Sequence, residues 1–122
     1  MQRQRFQQLV LQALDELPFR YRDWLDNVDV IIERRPTRRH LRTAGLGRGE
    51  VLFGLYEGIP LTERGSGYSM VLPDKITIFQ EPLEIEFPDD AELIEEVRRT
   101  VLHELAHYFG MSDEELEGLG LD

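Results

Sequence analysis

The chain has 122 residues and a mass of 14.3 kDa, which predicts one domain spanning residues 1–122. It has no cysteine, so disulfides, thiol nucleophiles and thiolate zinc sites are excluded, and His, Asp or Glu would have to hold any metal. No apolar run is long enough to span a bilayer, and the charged amino-terminal segment lacks a signal-peptide core. We therefore expect a soluble, cytoplasmic protein with no membrane partner.

The formal charge of −10 is unevenly distributed along the chain. Residues 1–48 hold ten arginines against six acids, whereas residues 49–122 hold four basic residues against eighteen acids. An overall negative field repels phosphate backbones, so we expect no nucleic-acid partner. Five of these arginines form one basic island: Arg34, Arg35, Arg38, Arg39 and Arg42. We favour a solvated helix face beside the acidic half for this island, and leave open a contact with an anion, RNA or a partner protein.

The first half of the chain alternates between helix and strand patterns. Helical spacing of apolar residues predicts a helix over about residues 3–17, ended by Pro18, with a short helical turn around Tyr21 to Leu25. The run VDVIIE predicts a strand, and residues 37–44 predict a short helix capped by Thr37. The glycine-rich stretch GLGRG lacks the Lys and the strand-to-helix context of a phosphate-binding loop and predicts an ordinary loop.

The second half predicts more strands and then a long helix. Strands are expected from Val51 to about Glu57 and over Lys75–Gln80, and the alternation of Leu83, Ile85 and Phe87 suggests a fourth. Asp89 followed by Glu92 predicts the cap of a helix over residues 91–109, closed by Gly110, and Ser112 opens a short terminal helix. These elements predict an α+β fold, a small mixed sheet of three or four strands against an N-terminal and a C-terminal helix.

Three residues of the long helix, His103, Glu104 and His107, form the pattern HExxH. Four residues turn a helix by about 400°, so the two histidines lie about 40° apart, one turn above the other, and can approach one cation. Glu104 is rotated by about 100° from His103, within reach of a metal-bound water without being a ligand. The pattern predicts one zinc ion, with His103 and His107 as ligands and Glu104 as the catalytic base.

The apolar residues of the same helix fall on the side away from the histidines. They are Ile94, Val97, Val101, Leu105 and Tyr108. We therefore expect one face of the helix to pack on the sheet and the histidine face to look into a groove.

A catalytic zinc needs a third protein ligand and an open position. Gly110 ends the helix three residues after His107 and allows the backbone to reverse, which brings Asp113 toward the metal. Asp113 is thus the expected third ligand, with Glu114 or Glu117 as substitutes. Tyr56, Tyr68 and Tyr108 are weaker candidates for donors to an oxyanion.

Nearly the whole chain resembles the mini-zincins, small zincin-like metallopeptidases with an aspartate as third zinc ligand. The resemblance rests on GLYEGIPLTER (residues 54–64), GYSMVLPDKITIF (67–79) and, most specifically, HELAHYFGMSDEEL (103–116). It implies that His103, His107 and Asp113 bind Zn²⁺ and that Glu104 is the base. The longer metzincins place a Met-containing turn after the third ligand, whereas no Met follows Asp113, so another element must support the site.

The expected function is zinc-dependent hydrolysis of peptide bonds in a peptide or protein substrate. One alternative is a metal-binding or regulatory module with little catalytic activity. Another is a metal-dependent nuclease that docks its substrate on the arginine island, which the net acidity disfavours. Homodimerisation stays open.

Overall fold

A computed structural model describes residues 1–22, 25–26, 28–47, 49–58 and 74–108, with Arg20, His107 and Tyr108 described by their backbone alone. The elements, in chain order, are α1 (Arg3–Asp15), α2 (Phe19–Arg22), β1 (Asp29–Glu33), α3 (Arg38–Thr43), β2 (Gly54–Glu57), β3 (Lys75–Phe79), α4 (Gln80–Glu86) and α5 (Asp90–Tyr108). This combination of helices with a small mixed sheet confirms the predicted α+β class.

The sheet has the strand order β1-β3-β2, with β1 parallel and β2 antiparallel to β3. Its central strand is the most buried, since Ile76, Ile78 and Phe79 have no exposed surface. All three strands were predicted, but β2 begins at Gly54 rather than at Val51. Val51 is 55% exposed, and β3 ends where α4 begins, so within the described residues no strand is available to pair with an earlier start of β2.

The predicted fourth strand is wrong, because its residues form the helix α4. The Phe87 N–H donates to the Leu83 carbonyl at 2.8 Å, four residues back, as in a helix. Leu83 is fully buried whereas Ile85 is 70% exposed, so these two residues do not share a face as they would in a strand. The apolar segment is too short to distinguish the two-residue period of a strand from the 3.6-residue period of a helix.

Helix α5 supplies much of the core and begins at the predicted cap, where the Glu92 N–H donates to Asp89 Oδ2 at 3.1 Å. It contacts α1, α4, β2 and β3. The predicted apolar residues of α5 whose side chains are described are all buried, and further buried residues widen that face: Leu93, Leu102 and Ala106. The face is wider than predicted because α5 packs against α1 as well as the sheet.

Helix α3 is capped as predicted. The His40 N–H donates to Thr37 Oγ1 at 3.2 Å, and the Thr37 N–H donates to His40 Nδ1 at 3.0 Å.

The arginine island around this helix pairs with acids of the second half of the chain. Arg35 Nε lies 2.9 Å from Glu81, and Arg39 Nη1 lies 2.6 Å from Glu57.

Two predictions concern residues outside the described ranges: the helix stop at Gly110 and the terminal helix opened by Ser112. Across the described ranges, no helix has both the length and the apolar character required to cross a membrane.

Candidate active site

A cleft of about 420 Å³ lies between helix α5 and the strand β2. The helix contributes Glu96, Arg99, Thr100, His103 and Glu104, and the strand side contributes Phe53 and Gly54. The helical period explains the first group, because positions 96, 99 and 100 precede His103 by seven, four and three residues and share its face. The expectation that the His103 face looks into a groove is therefore confirmed.

Glu104 is only 7% exposed, and its carboxylate is held by the backbone of β2. The Tyr56 N–H donates to Glu104 Oε1 at 2.8 Å. A buried carboxylate requires such donors, because removing a charge from water without compensation is costly. This backbone donor belongs to a strand and has no rotatable side chain, so it holds the carboxylate in one place.

The strand register explains why the Tyr56 N–H is available for this bond. The Phe79 N–H donates to the Phe53 carbonyl at 2.9 Å. In an antiparallel pair the backbone N–H and C=O groups of every second residue point toward the partner strand, so those of Leu55 and Glu57 also point toward β3. Those of Gly54 and Tyr56 point away from it. In the described part of the chain, β2 pairs with β3 alone. Its outward edge therefore faces the side from which Glu104 reaches in.

Gly54 lies close against helix α5. A β-carbon at this position would lie 2.5 Å from Thr100 Cγ2 and 3.2 Å from the Thr77 carbonyl oxygen. Carbon atoms that are not bonded do not come this close, so no residue with a side chain fits here unless the strand or the helix moves. Glycine thus permits the spacing at which Glu104 reaches the Tyr56 N–H.

The hydroxyl of Tyr56 has a different role from its backbone. It donates to Asp74 Oδ1 at 2.9 Å, and both residues are buried. A β-carbon at Gly58, where φ is +151°, would collide with the same Asp74 carboxylate. Tyr56 therefore serves the site through its N–H, and its hydroxyl, considered above as an oxyanion donor, is committed to this buried contact.

The cleft carries charges of both signs despite the acidity of this half of the chain. Burial, assisted by the Glu95 carboxylate, raises the pKa of the Glu96 carboxyl above its ordinary value, while Arg99 and His103 oppose that shift. Arg99 Nε lies 3.4 Å from Glu95 Oε1 and is half exposed. A positive and a negative group thus lie side by side along the helix, within the first turns before His103.

The residues predicted to hold the metal are only partly within the described structure. His103 lines the cleft, and the α5 backbone continues through His107 one turn later, whereas Asp113 lies outside the described residues. Among the side chains that are described, no three His, Asp or Glu residues lie together as a metal site. The pairing of His103 with His107 and Asp113 stays a prediction.

No sequence pattern singled out Gly54, Glu96, Arg99 or Thr100. The three helical positions could have been found from their spacing relative to His103, since they share its face. Gly54 had no such signal, because its role depends on a contact with a residue 46 positions away in the chain.

The chain matches the family model of the zincin-like metallopeptidases over residues 25–121. No curated protein matches it. The family match includes the strands, the cleft and the complete HExxH segment, and it confirms the resemblance to zincins drawn from the sequence. The chain belongs to the zincin-like metallopeptidase family.

Proposed function

We propose that this chain is a zinc-dependent peptidase in which Glu104 is the general base and His103, His107 and Asp113 hold the ion. The observation that carries the proposal is the position of His103 and Glu104, side by side on α5 in a cleft bordered by a strand edge. Family membership supports metallopeptidase activity in general. The residue roles are our inference from the motif and the cleft.

The donor set suits zinc. Two imidazoles and one carboxylate are a usual set for a catalytic zinc, and the chain has no cysteine that could turn the site into a closed thiolate centre. His103 is partly exposed to the cleft, so a ligand there can be reached from solvent. When bound, zinc supplies a Lewis acid that acidifies a water molecule and polarises the scissile carbonyl.

Glu104 moves the proton in the proposed reaction. Its carboxylate takes a proton from the attacking water and delivers it to the leaving nitrogen, so that the C–N bond breaks to release a neutral amine rather than an amide anion. The Tyr56 N–H, 2.8 Å from Oε1, orients the carboxylate. A carboxylate can accept about four hydrogen bonds, so the bond from Tyr56 does not exclude the water.

The outward edge of β2 is our candidate for the substrate-binding strand. Gly54 lines the cleft, and its N–H and carbonyl point away from β3, in the directions that an added strand would use. An extended peptide paired there would cross the cleft face of α5. Its side chains would then meet Glu96, Arg99 and Thr100.

The nuclease alternative is not favoured. Arg34 and Arg35 of the island pair with Glu81, and Arg39 pairs with Glu57. These contacts reduce the positive potential that a phosphate backbone would need.

The proposal is tested by measuring metal and hydrolysis separately. Freshly purified protein should contain about one zinc per chain, and His103→Ala should lose it. Glu104→Gln should keep the metal but lower kcat on a peptide cleaved by the wild type by about 10²–10⁴-fold. Glu92→Gln, which removes an exposed carboxylate from the same helix, is the matched control and should cleave normally.

Two results would contradict the proposal. Unchanged hydrolysis by a zinc-loaded Glu104→Gln would remove the base from the mechanism. Wild type that binds zinc but cleaves no member of a broad peptide library would instead indicate a metal-binding or regulatory module.

A further inference from the structure

We propose that the contact between Gly54 and Thr100 positions the catalytic base, by setting the distance between β2 and α5 at which Glu104 is held by Tyr56. This inference rests on the proposed function for its catalytic consequence. Its geometric part concerns described residues alone. Gly54 and Thr100 are positioning residues in this proposal, since they act on the reaction through Glu104.

The contact and the hydrogen bond are neighbouring links between the same two elements. Gly54 and Tyr56 are two residues apart on β2, a separation of about 6.6 Å along a strand. Thr100 and Glu104 are four residues apart on α5, a separation of about 6 Å along a helix. Because these distances match, the Gly54–Thr100 contact lies beside the Tyr56–Glu104 hydrogen bond. A change in the spacing of strand and helix at the contact is therefore transmitted to the hydrogen bond.

The size of the change can be estimated from the clash. A β-carbon at position 54 would lie 2.5 Å from Thr100 Cγ2, whereas ordinary contact begins at 3.4 Å, so the strand and the helix would separate by nearly 1 Å. The bond from Tyr56 N–H to Glu104 Oε1 is 2.8 Å long. Lengthened by about that amount, it would exceed the range of a hydrogen bond.

Thr100 has little freedom to relieve the clash by itself. Its side chain is short and branched at Cβ, and a threonine on a helix is confined to two χ1 rotamers. The Thr77 carbonyl oxygen, 3.2 Å from the same β-carbon position, limits movement from the sheet side. The backbone at Gly54 is extended and outside the left-handed region, so Ala is compatible with its conformation, and the clash is the cause of any effect.

The experiment compares Gly54→Ala, Thr100→Ser and the double variant, with Gly47→Ala as control. Thr100→Ser removes Cγ2, the atom in the clash, and keeps the hydroxyl. Position 47 is a matched control, because a β-carbon there meets nothing within 4 Å and its φ is not in the left-handed region. Each variant is measured by amide hydrogen exchange of Tyr56 and by kcat and KM on a peptide that the wild type cleaves.

In Gly54→Ala we expect the Tyr56 amide to exchange at least about tenfold faster, as its charged acceptor moves out of range. We expect kcat to fall by about 10–100-fold with KM nearly unchanged, because a displacement of about 1 Å misplaces the base without removing the binding surface. Gly47→Ala should behave like the wild type. Thr100→Ser should keep the Tyr56 amide protected, and its kcat is the reference for the double variant. The double variant should recover both the amide protection and kcat.

Protection of Tyr56 retained in Gly54→Ala, or a double variant that recovers neither property, would overturn the inference. If Gly54→Ala alone does not fold, the comparison of the double variant with Thr100→Ser decides, since loss of protection there contradicts the proposed clash. Wild type that cleaves no peptide would count against the proposed function. The exchange measurements would still determine whether Gly54 controls the hydrogen bond.

Discussion

Among the individual residues of the cleft, Glu104 has the most restricted environment. It is almost fully buried, and a strand N–H donates to one of its oxygens. A general base must be held within hydrogen-bond reach of the proton that it accepts. The Tyr56 N–H, a backbone donor on a strand, would hold Glu104 in position for the proposed proton transfer.

The role of Tyr56 can be divided between its backbone and its hydroxyl. Tyr56→Phe removes the hydroxyl that donates to the buried Asp74 but leaves the N–H that holds Glu104. We expect a loss of about 1–3 kcal/mol in unfolding free energy, since the buried Asp74 loses the hydrogen bond from this hydroxyl, with little change in kcat. Chemical denaturation and peptide hydrolysis measure the two effects. A large fall in kcat in folded Tyr56→Phe would mean that the hydroxyl acts on the substrate after all.

The third zinc ligand is tested by comparing neighbouring carboxylates. Asp113→Ala should weaken zinc binding by more than the roughly 10–100-fold typical of losing an outer-shell partner, because a direct ligand is removed. Glu114→Ala and Glu117→Ala are the controls and should bind zinc normally. Competition with a chelator measures all three affinities. Weakened binding in a control variant but not in Asp113→Ala would transfer the ligand role to that glutamate.

Among the elements, α4 shows how a short sequence can satisfy two periods. The spacing of Leu83, Ile85 and Phe87 fits a strand, but Leu83 and Phe87 are also four residues apart, as on a helix. The helix prevails because it buries Leu83 in the core and leaves Ile85 in solvent. Gln80 Nε2 donates to Glu84 Oε1 at 2.8 Å, a further contact at helical spacing.

Substitutions at Leu83 and Ile85 give a direct test of whether this segment is a helix. Leu83→Ala should cost about 2–5 kcal/mol of unfolding free energy, since it leaves a cavity in the core. Ile85→Ala should stay within about 0.5 kcal/mol of the wild type, because that side chain is mostly exposed. Urea denaturation of both variants provides the measurement. Similar losses at the two positions would support the strand.

For the molecule as a whole, ion pairs connect the basic first part to the acidic second part. Arg5 pairs with Asp90, and Arg39 pairs with Glu57. Exposed pairs of this kind contribute only about 0–1 kcal/mol each. The apolar core formed by α1, α5 and the sheet therefore stabilises the fold, and the charges influence its dependence on pH.

His40 connects three elements and is buried. Its Nδ1 accepts from the Thr37 N–H in the cap of α3, its ring meets Phe79 of β3 edge-on, and Nε2 lies 3.8 Å from Glu57 of β2. Burial lowers the pKa of His40, and so does the neighbouring Arg39, followed by the weaker effect of Lys75. Two carboxylates oppose the shift, those of Glu57 and Glu33.

A lowered pKa in the folded state means that the unfolded chain binds a proton more readily. The stability contributed by neutral His40 is therefore present above the ordinary His pKa of 6.5 and is lost as the pH falls below it. The hydrogen bond from Arg39 lowers the pKa of Glu57. The stability contributed by the ionised Glu57 is therefore lost only as the pH falls below the ordinary Glu value of 4.5. Urea denaturation between these two values should show stability falling with pH in the wild type, and a smaller fall in His40→Gln. Equal slopes in the two proteins would contradict this role for His40.

The sequence by itself determined the α+β class, the capped helix that carries HExxH, the His103 face of that helix and the family. These follow from local periodicity and from residue types, which operate within a few turns of one element. The tertiary structure decided that α4 is a helix, that Gly54 meets Thr100, and that the Tyr56 N–H holds Glu104. That last bond joins residues 48 positions apart. No local pattern specifies such a pair, because the packing of the whole core determines which strand edge lies beside which helix face.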